Sequence, residues 1–252
     1  NAGNRSVAIG KETLSVQNAG SAGQNMYNVA VGYRAGLSVT TGVQNTLLGA
    51  HAGDAINTGA YNTLLGYNAG TDLDTGAKNT FVGVLAGGDT VIGNNNVAVG
   101  YDSLRKNIDG DGNTAVGYKA LEDYDDGDGN GQNTAIGSQS QKNATTGEFN
   151  TSLGAQAMGE GIVEGNHIVA IGYKAGEALT SGNENVLIGA FTGDALTTGT
   201  SNTALGYNAL STENGHGKNT AIGRAALNAL NNTVDGFNVA VGYNAAVDMT
   251  TG

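Results

Sequence analysis

Several common residue types are missing from this chain of 252 residues, and each absence excludes a class of structure. There is no Pro, which suits a strand ladder that uses its backbone N–H groups. There is no Cys, so disulfides and thiolate metal sites are excluded. No segment carries the 3.6-residue apolar period of a helix over a useful length, and no apolar run is long enough to cross a membrane.

Basic residues are scarce as well. Lys and Arg number 11 against 22 Asp and Glu, which gives a net charge of −11. This balance argues against nucleic acid as a partner and offers no basic patch for anionic membranes. We therefore expect no nucleic-acid partner and no direct membrane insertion, and the Gly-, Asn- and Thr-rich composition is compatible with an extracellular location.

What the chain has in abundance is one repeated motif, written in its seventh copy as Asn113-Thr114-Ala115-Val116-Gly117-Tyr118-Lys119-Ala120-Leu121. Fourteen copies align on one glycine, with a basic period of 17 residues and small insertions. Such a period predicts a parallel β-solenoid in which each repeat forms one coil. The aligned residues, here named the core glycines, are Gly10, Gly32, Gly49, Gly66, Gly83, Gly100, Gly117, Gly137, Gly154, Gly172, Gly189, Gly206, Gly223 and Gly242.

The three residues before each core glycine read as a strand. Counting from the core glycine, position −3 is always Val or Thr and position −1 is always Ile, Leu or Val, so these two share one apolar strand face. Position −2, on the other face, is Ala in nine repeats. Strands that are apolar on both faces are normally buried on both. A thin coil covers one face with its own interior, and we expect another copy of the chain to cover the second.

Two glycine columns predict two different roles. The core glycine has no substitute in any repeat, which indicates that a neighbouring group leaves no room for a Cβ atom. Position −7 is Gly in ten repeats and otherwise Asn or another residue that tolerates a left-handed backbone: Asn25, Asn130, His216 and Asp235. This second column therefore predicts a turn with positive φ, where Gly59→Asn would be tolerated and Gly66→Ala would not.

Two further columns predict the rest of each coil. Asn occupies position −4 in twelve repeats, where it can bond backbone groups or stack as an Asn ladder. Position +7 is apolar in half of the repeats and predicts a second, shorter side: Val39, Ile56, Leu73, Leu179, Leu196, Leu230 and Met249.

An acid-rich insertion is the best local candidate for a metal site. Acidic residues interleaved with Gly can wrap Ca²⁺, which takes six to eight oxygen ligands. The spacing matches neither the EF-hand loop nor the glycine-rich calcium repeat, and a solvated loop explains the same residues. The speculative ligands are Asp109, Asp111, Asp125, Asp126 and Asp128.

No arrangement of residues predicts catalysis. The three histidines, His51, His167 and His216, occupy different columns, and no Ser/His/Asp or paired-carboxylate pattern recurs. We therefore expect a protein that is not an enzyme and needs no cofactor, apart from the Ca²⁺ alternative.

Seven of the ten tyrosines follow a core glycine directly: Tyr33, Tyr67, Tyr101, Tyr118, Tyr173, Tyr207 and Tyr243. This Tyr ladder suits binding of a receptor or glycan, and it equally suits a subunit contact or the covering of an edge. Thr alternates with Val at position −3 and forms irregular doublets elsewhere, so ice or mineral binding is a minor alternative.

The strand motifs Asn113-Thr114-Ala115-Val116-Gly117 and Ser6-Val7-Ala8-Ile9-Gly10 resemble the head repeats of YadA-like trimeric autotransporter adhesins. The longer unit from Asn202 to Leu210 is similar to repeats of bacterial and phage tail-fibre-domain proteins. The resemblance implies a left-handed β-roll assembled as a homotrimer, with the sheets of three chains facing one axis. The known head repeat is typically shorter than 17 residues, and no coiled-coil heptads follow here.

Taken together, residues 1–252 are expected to form a single β-roll segment of a longer fibre. The expected function is structural or adhesive: a trimeric shaft or head at the cell surface that contacts a receptor, glycan or matrix protein. The alternative is a phage tail-fibre shaft that recognises a bacterial host.

Overall fold

The computed structural model describes residues 5–18, 25–125 and 130–251. Its regular structure is β alone, in strands of three residues, and no helix occurs in those ranges. The chain divides into two compact units, Asn1–Gly131 and Gln132–Gly252. The first unit contains β1 (Val7–Ile9), β2 (Val29–Val31), β3 (Thr46–Leu48), β4 (Thr63–Leu65), β5 (Thr80–Val82), β6 (Val97–Val99) and β7 (Thr114–Val116). The second contains β8 (Thr134–Ile136), β9 (Thr151–Leu153), β10 (Val169–Ile171), β11 (Val186–Ile188), β12 (Thr203–Leu205), β13 (Thr220–Ile222) and β14 (Val239–Val241).

Each strand occupies positions −3 to −1 before a core glycine, so every coil contributes one strand. Consecutive strands within each unit pair in parallel, and the same positions face each other: Leu47 pairs with Leu64, and Leu187 with Ala204. The prediction of an all-β parallel β-solenoid with one strand per repeat is confirmed.

Hydrogen bonds between coils continue beyond the short strands. After the core glycine, the backbone N–H of Gly36 donates to Ala52 O at 3.0 Å, and that of Gly53 donates to Ala69 O at the same distance. Equivalent bonds recur in both units, for example from Gly176 to Thr192 at 2.9 Å. Because the ladder turns the corner with the chain, three-residue strands suffice to hold the coils in register.

Position −2 points into the coil, and its size is balanced by position +4. Leu64 is fully buried, and a Cβ atom added to Gly53 or Gly70 would lie 2.8 or 3.0 Å from its Cδ1 atom. Where position −2 shrinks to Ala, as at Ala98, position +4 grows to a buried Leu such as Leu104. In most coils the two columns thus vary in opposite directions; Gly36 and Gly176, in coils with Ala at position −2, instead lie against Leu47 and Leu187 of the next coil.

The second apolar column also lies inside. The side chains at position +7 are fully buried in six of the seven predicted repeats: Val39, Ile56, Leu73, Leu179, Leu196 and Leu230. Met249, in the last repeat, is half-buried. The predicted second side of the coil is confirmed.

The Asn column bonds backbone groups and forms a ladder at once. The amide of Asn62 is fully buried; it donates to Gly76 O at 2.9 Å and accepts from the backbone N–H of Asn79 at 2.9 Å. It also donates to Asn45 Oδ1 at 3.1 Å. Repeated from coil to coil, this pattern satisfies backbone groups where the chain enters the strand.

The core glycines behave as predicted, whereas the second glycine column does not. Gly66 has φ +146°, and a Cβ atom there would lie 2.3 Å from Gly83 O. Gly59, at position −7, does not have a left-handed φ; its added Cβ atom would meet Gly76 O at 2.6 Å. The predicted turn with positive φ is wrong at this column, and so is the reason given for His216, whose φ is not positive. Both columns are glycine because the next coil's carbonyl group approaches closely.

Left-handed residues occur instead at positions −5 and +2, which no residue preference marks, and at position +4, which is Gly in six repeats. Position +2 holds Arg34 at φ 58°, His51 at 57° and Leu85 at 58°, and position −5 holds Tyr27 and Tyr61 at 54° and 63°. These two corners bracket the strand in each coil. Because most non-glycine residues adopt this conformation at a cost, the coil-to-coil hydrogen bonds must hold it in place.

Candidate interaction face

The outward strand face exposes a column of aliphatic side chains in the single chain. It consists of positions −3 and −1 of the strands, which point away from the coil interior. In the single chain, Leu48, Leu65 and Leu153 are 45, 41 and 46% exposed, although they sit in the middle of their sheets. The strands are therefore covered on one face by their own coil, as predicted, and are open on the other.

Charge is absent from this face and concentrated beside it. No charged residue occupies position −3 or −1 in any repeat. The flanking positions −5, +1 and +2, which we name the border, hold eight of the eleven Lys and Arg but three of the 22 Asp and Glu. The border cations are Arg5, Lys11, Arg34, Lys78, Lys119, Lys174, Lys218 and Arg224. An acidic protein thus places its positive charge around one uncharged face.

Some border cations form ion pairs within the chain. Arg34 Nε donates to Glu12 Oε2 at 2.6 Å, a bond that lowers the pKa of the Glu12 carboxyl and raises that of Arg34. Lys174 Nζ lies 2.7 Å from Glu177 Oε1, and this hydrogen bond raises the pKa of the ammonium group. These contacts fix the orientation of long side chains at the rim of the face.

All seven residues of the Tyr ladder are exposed, but several of their ring faces are occupied. Tyr101 and Tyr118 stack on each other at 5.8 Å between centroids and 19° between planes. Lys119 Nζ lies 5.8 Å from the centroid of the Tyr118 ring, and Arg224 lies 5.5 Å from the centroids of both Tyr207 and Tyr243. Sugars stack on free ring faces, so this arrangement favours the contact or edge-covering interpretation.

The ladder includes two aromatic residues that the sequence analysis missed. His51 contacts Tyr33 edge-to-face at 5.3 Å and Tyr67 at 6.3 Å. Phe191 bridges Tyr173 and Tyr207 in the same way, at 5.3 and 6.0 Å. Both occupy position +2 in a coil with Ala at position +1. In these two coils an aromatic residue follows the core glycine by two places instead of one, and this shift could have identified both residues from the sequence.

The acidic insertion does not form a metal site within the described residues, since no group of three or more His, Asp and Glu suited to a metal ion occurs there. Asp111 accepts hydrogen bonds from the backbone and the side chain of Asn94, at 2.6 and 3.2 Å. Asp109 Oδ1 is buried without a hydrogen-bond partner in the same described ranges, and Asp125 is half-buried. Asp126 and Asp128 lie outside the described residues.

The structure does not bring the three histidines together. His51 Nδ1 lies 2.8 Å from Asp54 Oδ2, His167 stacks on Phe149, and His216 lies beside Glu213. In two of the Thr doublets, the hydroxyl groups of Thr40 and Thr197 bond to the next coil and are not free.

Comparison with protein-family models, curated proteins and solved structures found no match to this chain. Within the described ranges, the search for a helix with the length and apolarity needed to span a membrane found none.

Proposed function

We propose that this chain is a non-enzymatic fibre segment that assembles as an extracellular homotrimer, with the outward faces of three chains packed around one axis. The observation that carries the proposal is the uncharged aliphatic face, exposed in a single chain. Contiguous exposed apolar patches of this kind mark interaction sites in soluble proteins. The left-handed β-roll implied by the resemblance is the arrangement that turns this face inward.

The size of the face suits a stable interface. Seven coils at about 4.8 Å per strand, and roughly 20 Å across positions −5 to +1, give the face of each unit together with the border positions −5 and +1 an area of about 700 Å². A standard protein interface buries about 800 Å² per partner. One unit therefore approaches the required area by itself.

Charge supports another copy of the same chain as the occupant. The border is cationic and the remaining surface is acidic, because 19 of the 22 Asp and Glu lie outside the border. When three chains pack around one axis, the cationic border of one chain lies close to the acidic surface beside the face of the next chain. Positive and negative charges then meet across the contact. Complementary potentials of this kind fix register and suppress wrong partners.

In this function the segment holds a binding region away from a surface, or itself contacts a receptor, glycan or matrix protein. Repetition would give many weak contacts along one fibre, and avidity then exceeds the affinity of each. A phage tail-fibre shaft would use the same assembly and remains the second candidate, supported by the resemblance of the Asn202–Leu210 unit. The engaged Thr hydroxyl groups disfavour ice binding.

Sedimentation velocity on the purified chain tests the assembly. We expect a particle three times the 25.2 kDa chain mass. Leu48→Lys combined with Leu65→Lys places charge in the outward face and should yield monomers or aggregates. The matched control, Thr58→Lys combined with Thr75→Lys, adds the same charge at two exposed residues outside the face and should leave the trimer intact. A wild-type chain that sediments as a monomer at micromolar concentration overturns the proposal.

A further inference from the structure

A buried carboxylate, a lysine and a second carboxylate meet on adjacent coils beside the outward face. Asp102 follows β6 and Lys119 follows β7, both at position +2, and Glu122 lies three residues after Lys119. The Asp102 and Glu122 side chains are 3 and 8% exposed, and that of Lys119 is 22% exposed. The backbone holds the two coils together here, because the Lys119 N–H donates to Tyr101 O at 2.9 Å.

The three side chains are placed as a nucleophile (Lys119), an electrophile (Asp102) and a proton carrier (Glu122). Lys119 Nζ lies 3.6 Å from Asp102 Oδ2 and 2.5 Å from Glu122 Oε1. Asp102 Oδ1 is buried and has no hydrogen-bond partner among the described residues; its nearest cation, Arg105 Nη1, is 3.8 Å away. The ion pair thus leaves one oxygen of a buried carboxylate unsatisfied, which is costly.

We propose that Lys119 and Asp102 condense into an intramolecular isopeptide bond that joins the sixth and seventh coils covalently. The neutral Lys119 amine attacks Cγ of the protonated Asp102 carboxyl group, and the Nζ–Cγ bond forms. Glu122 takes a proton from the nitrogen and delivers it to the departing oxygen. The Cγ–O bond then breaks and one water molecule leaves, so the step needs no oxidant and no other reactant.

Position and burial favour the product. The hydrogen bond to Glu122 raises the pKa of the Lys119 ammonium, so the resting group is charged. Reaction begins when one ammonium proton moves to Asp102, which makes the amine neutral and the Asp102 carboxyl group protonated. The fold holds the reacting groups in place, and such preorganisation is worth several powers of ten in effective concentration. The amide replaces two charges with a neutral group, which costs less to keep out of water.

The same chain supplies a matched control. Lys174 and Glu177 occupy positions +2 and +5 as Lys119 and Glu122 do, and their atoms approach to 2.7 Å. In the preceding coil, however, position +2 is Gln156 and not an acid. Lys174 should therefore remain a free amine, which trypsin cleaves and acetylating reagents modify.

Intact-mass spectrometry on the full chain tests the bond. We expect a mass lower than the sequence mass by one water, and a tryptic digest in which the Asp102 and Lys119 peptides remain linked while cleavage after Lys174 proceeds. The single variants Asp102→Ala and Lys119→Arg should each have the full mass calculated from their own sequence, without the loss of water. Glu122→Gln, which keeps both reacting groups, should slow or abolish the loss of water.

Two results contradict the inference. A wild-type chain with its full sequence mass, cleaved normally after Lys119, rules out the bond and leaves an ordinary ion pair. Undiminished bond formation in Glu122→Gln removes the role given to Glu122. Neither result depends on the oligomeric state, so the test stands apart from that of the trimer.

Discussion

Replacing a core glycine with alanine tests the physical basis of the whole solenoid. Gly66 combines two constraints that arise from its position between adjacent coils. Its φ of +146° lies in a region that side-chain-bearing residues rarely adopt, and an added Cβ atom would lie 2.3 Å from Gly83 O. Real Cβ atoms essentially never approach another heavy atom closer than 3.0 Å. Gly66→Ala must therefore shift one coil against the next.

The size of the effect follows from these two terms. A residue forced into a sparsely populated backbone region costs about 1–3 kcal/mol. Overpacking by one methyl group in a closely packed site costs about 1–3 kcal/mol more. The expected loss is thus about 2–6 kcal/mol, which corresponds to a fall in melting temperature on the order of 10 °C for a protein of this size.

Thermal melting followed by circular dichroism measures the change, with Gly215→Ala as the control. At Gly215 the φ is not left-handed, and the nearest atom to an added Cβ is Thr198 Oγ1 at 3.3 Å, an atom that can move. The control should melt within about 2 °C of the wild type. If Gly66→Ala melts with the wild type, close backbone approach is not what excludes side chains from this column.

Four further substitutions test the interior and two surface carboxylates. Asn62→Ala should lower stability by about 2–4 kcal/mol in urea titration, because it leaves two buried backbone groups of the next coil unpaired; no change would show that the ladder is dispensable. Glu213→Leu should lower the urea midpoint, although position +7 is Leu in the coils on either side, because buried Glu213 accepts two backbone N–H bonds; a higher midpoint would show that apolar burial outweighs them. Burial and neighbouring carboxylates raise the pKa of Asp72. Its contribution to folding stability is therefore favourable in acid, below the ordinary pKa of 3.8, and is lost as the pH rises towards the raised pKa. Lys218 lowers the pKa of Asp235. The contribution of Asp235 to folding stability is therefore present at neutral pH and is lost as the pH falls below the ordinary pKa of 3.8. Asp72→Asn should therefore raise the melting temperature at pH 7 and Asp235→Asn should lower it, and matching shifts in one direction would contradict these assignments.

The strand positions could be predicted from the sequence because a single chemistry repeats there. Position −3 is always β-branched and position −1 always aliphatic, a pattern typical of a strand, and every predicted strand is present, from Val7–Ile9 to Val239–Val241. The interior column at position +7 could be predicted for the same reason. A pattern read fourteen times averages out the local exceptions, such as the polar Ser152 in the interior.

The glycines of position −7 were wrongly interpreted as turns with positive φ, because a recurring glycine column indicates that a side chain is excluded but does not say why. Asn130 and Asp235 occur there, and both tolerate a left-handed backbone, which suggested a turn. In the structure they follow inserted residues, and the tight approach that excludes a Cβ atom at Gly59 belongs to the regular coils. The left-handed corners at positions −5 and +2 hold Arg, His, Tyr and Leu, so neighbouring coils impose their conformation and no sequence signal marks them. The glycines of position +4, such as Gly53 at φ 56°, were the signal of a left-handed column.

The regularity of position −1 now carries the most information about function. Interior position −2 is constrained by packing, yet it varies among Ala, Leu, Phe and Ser, because position +4 compensates for its size. Position −1 is open to water in the single chain, so intrachain packing would accept a polar residue there, as it accepts Lys11, Ser138 and Arg224 two places further on. It is nevertheless Ile, Leu or Val in every repeat. A solvent-facing aliphatic column of this length makes a chain prone to aggregate unless something covers it. The simplest cover with a matching period of 17 residues is the same column of another copy.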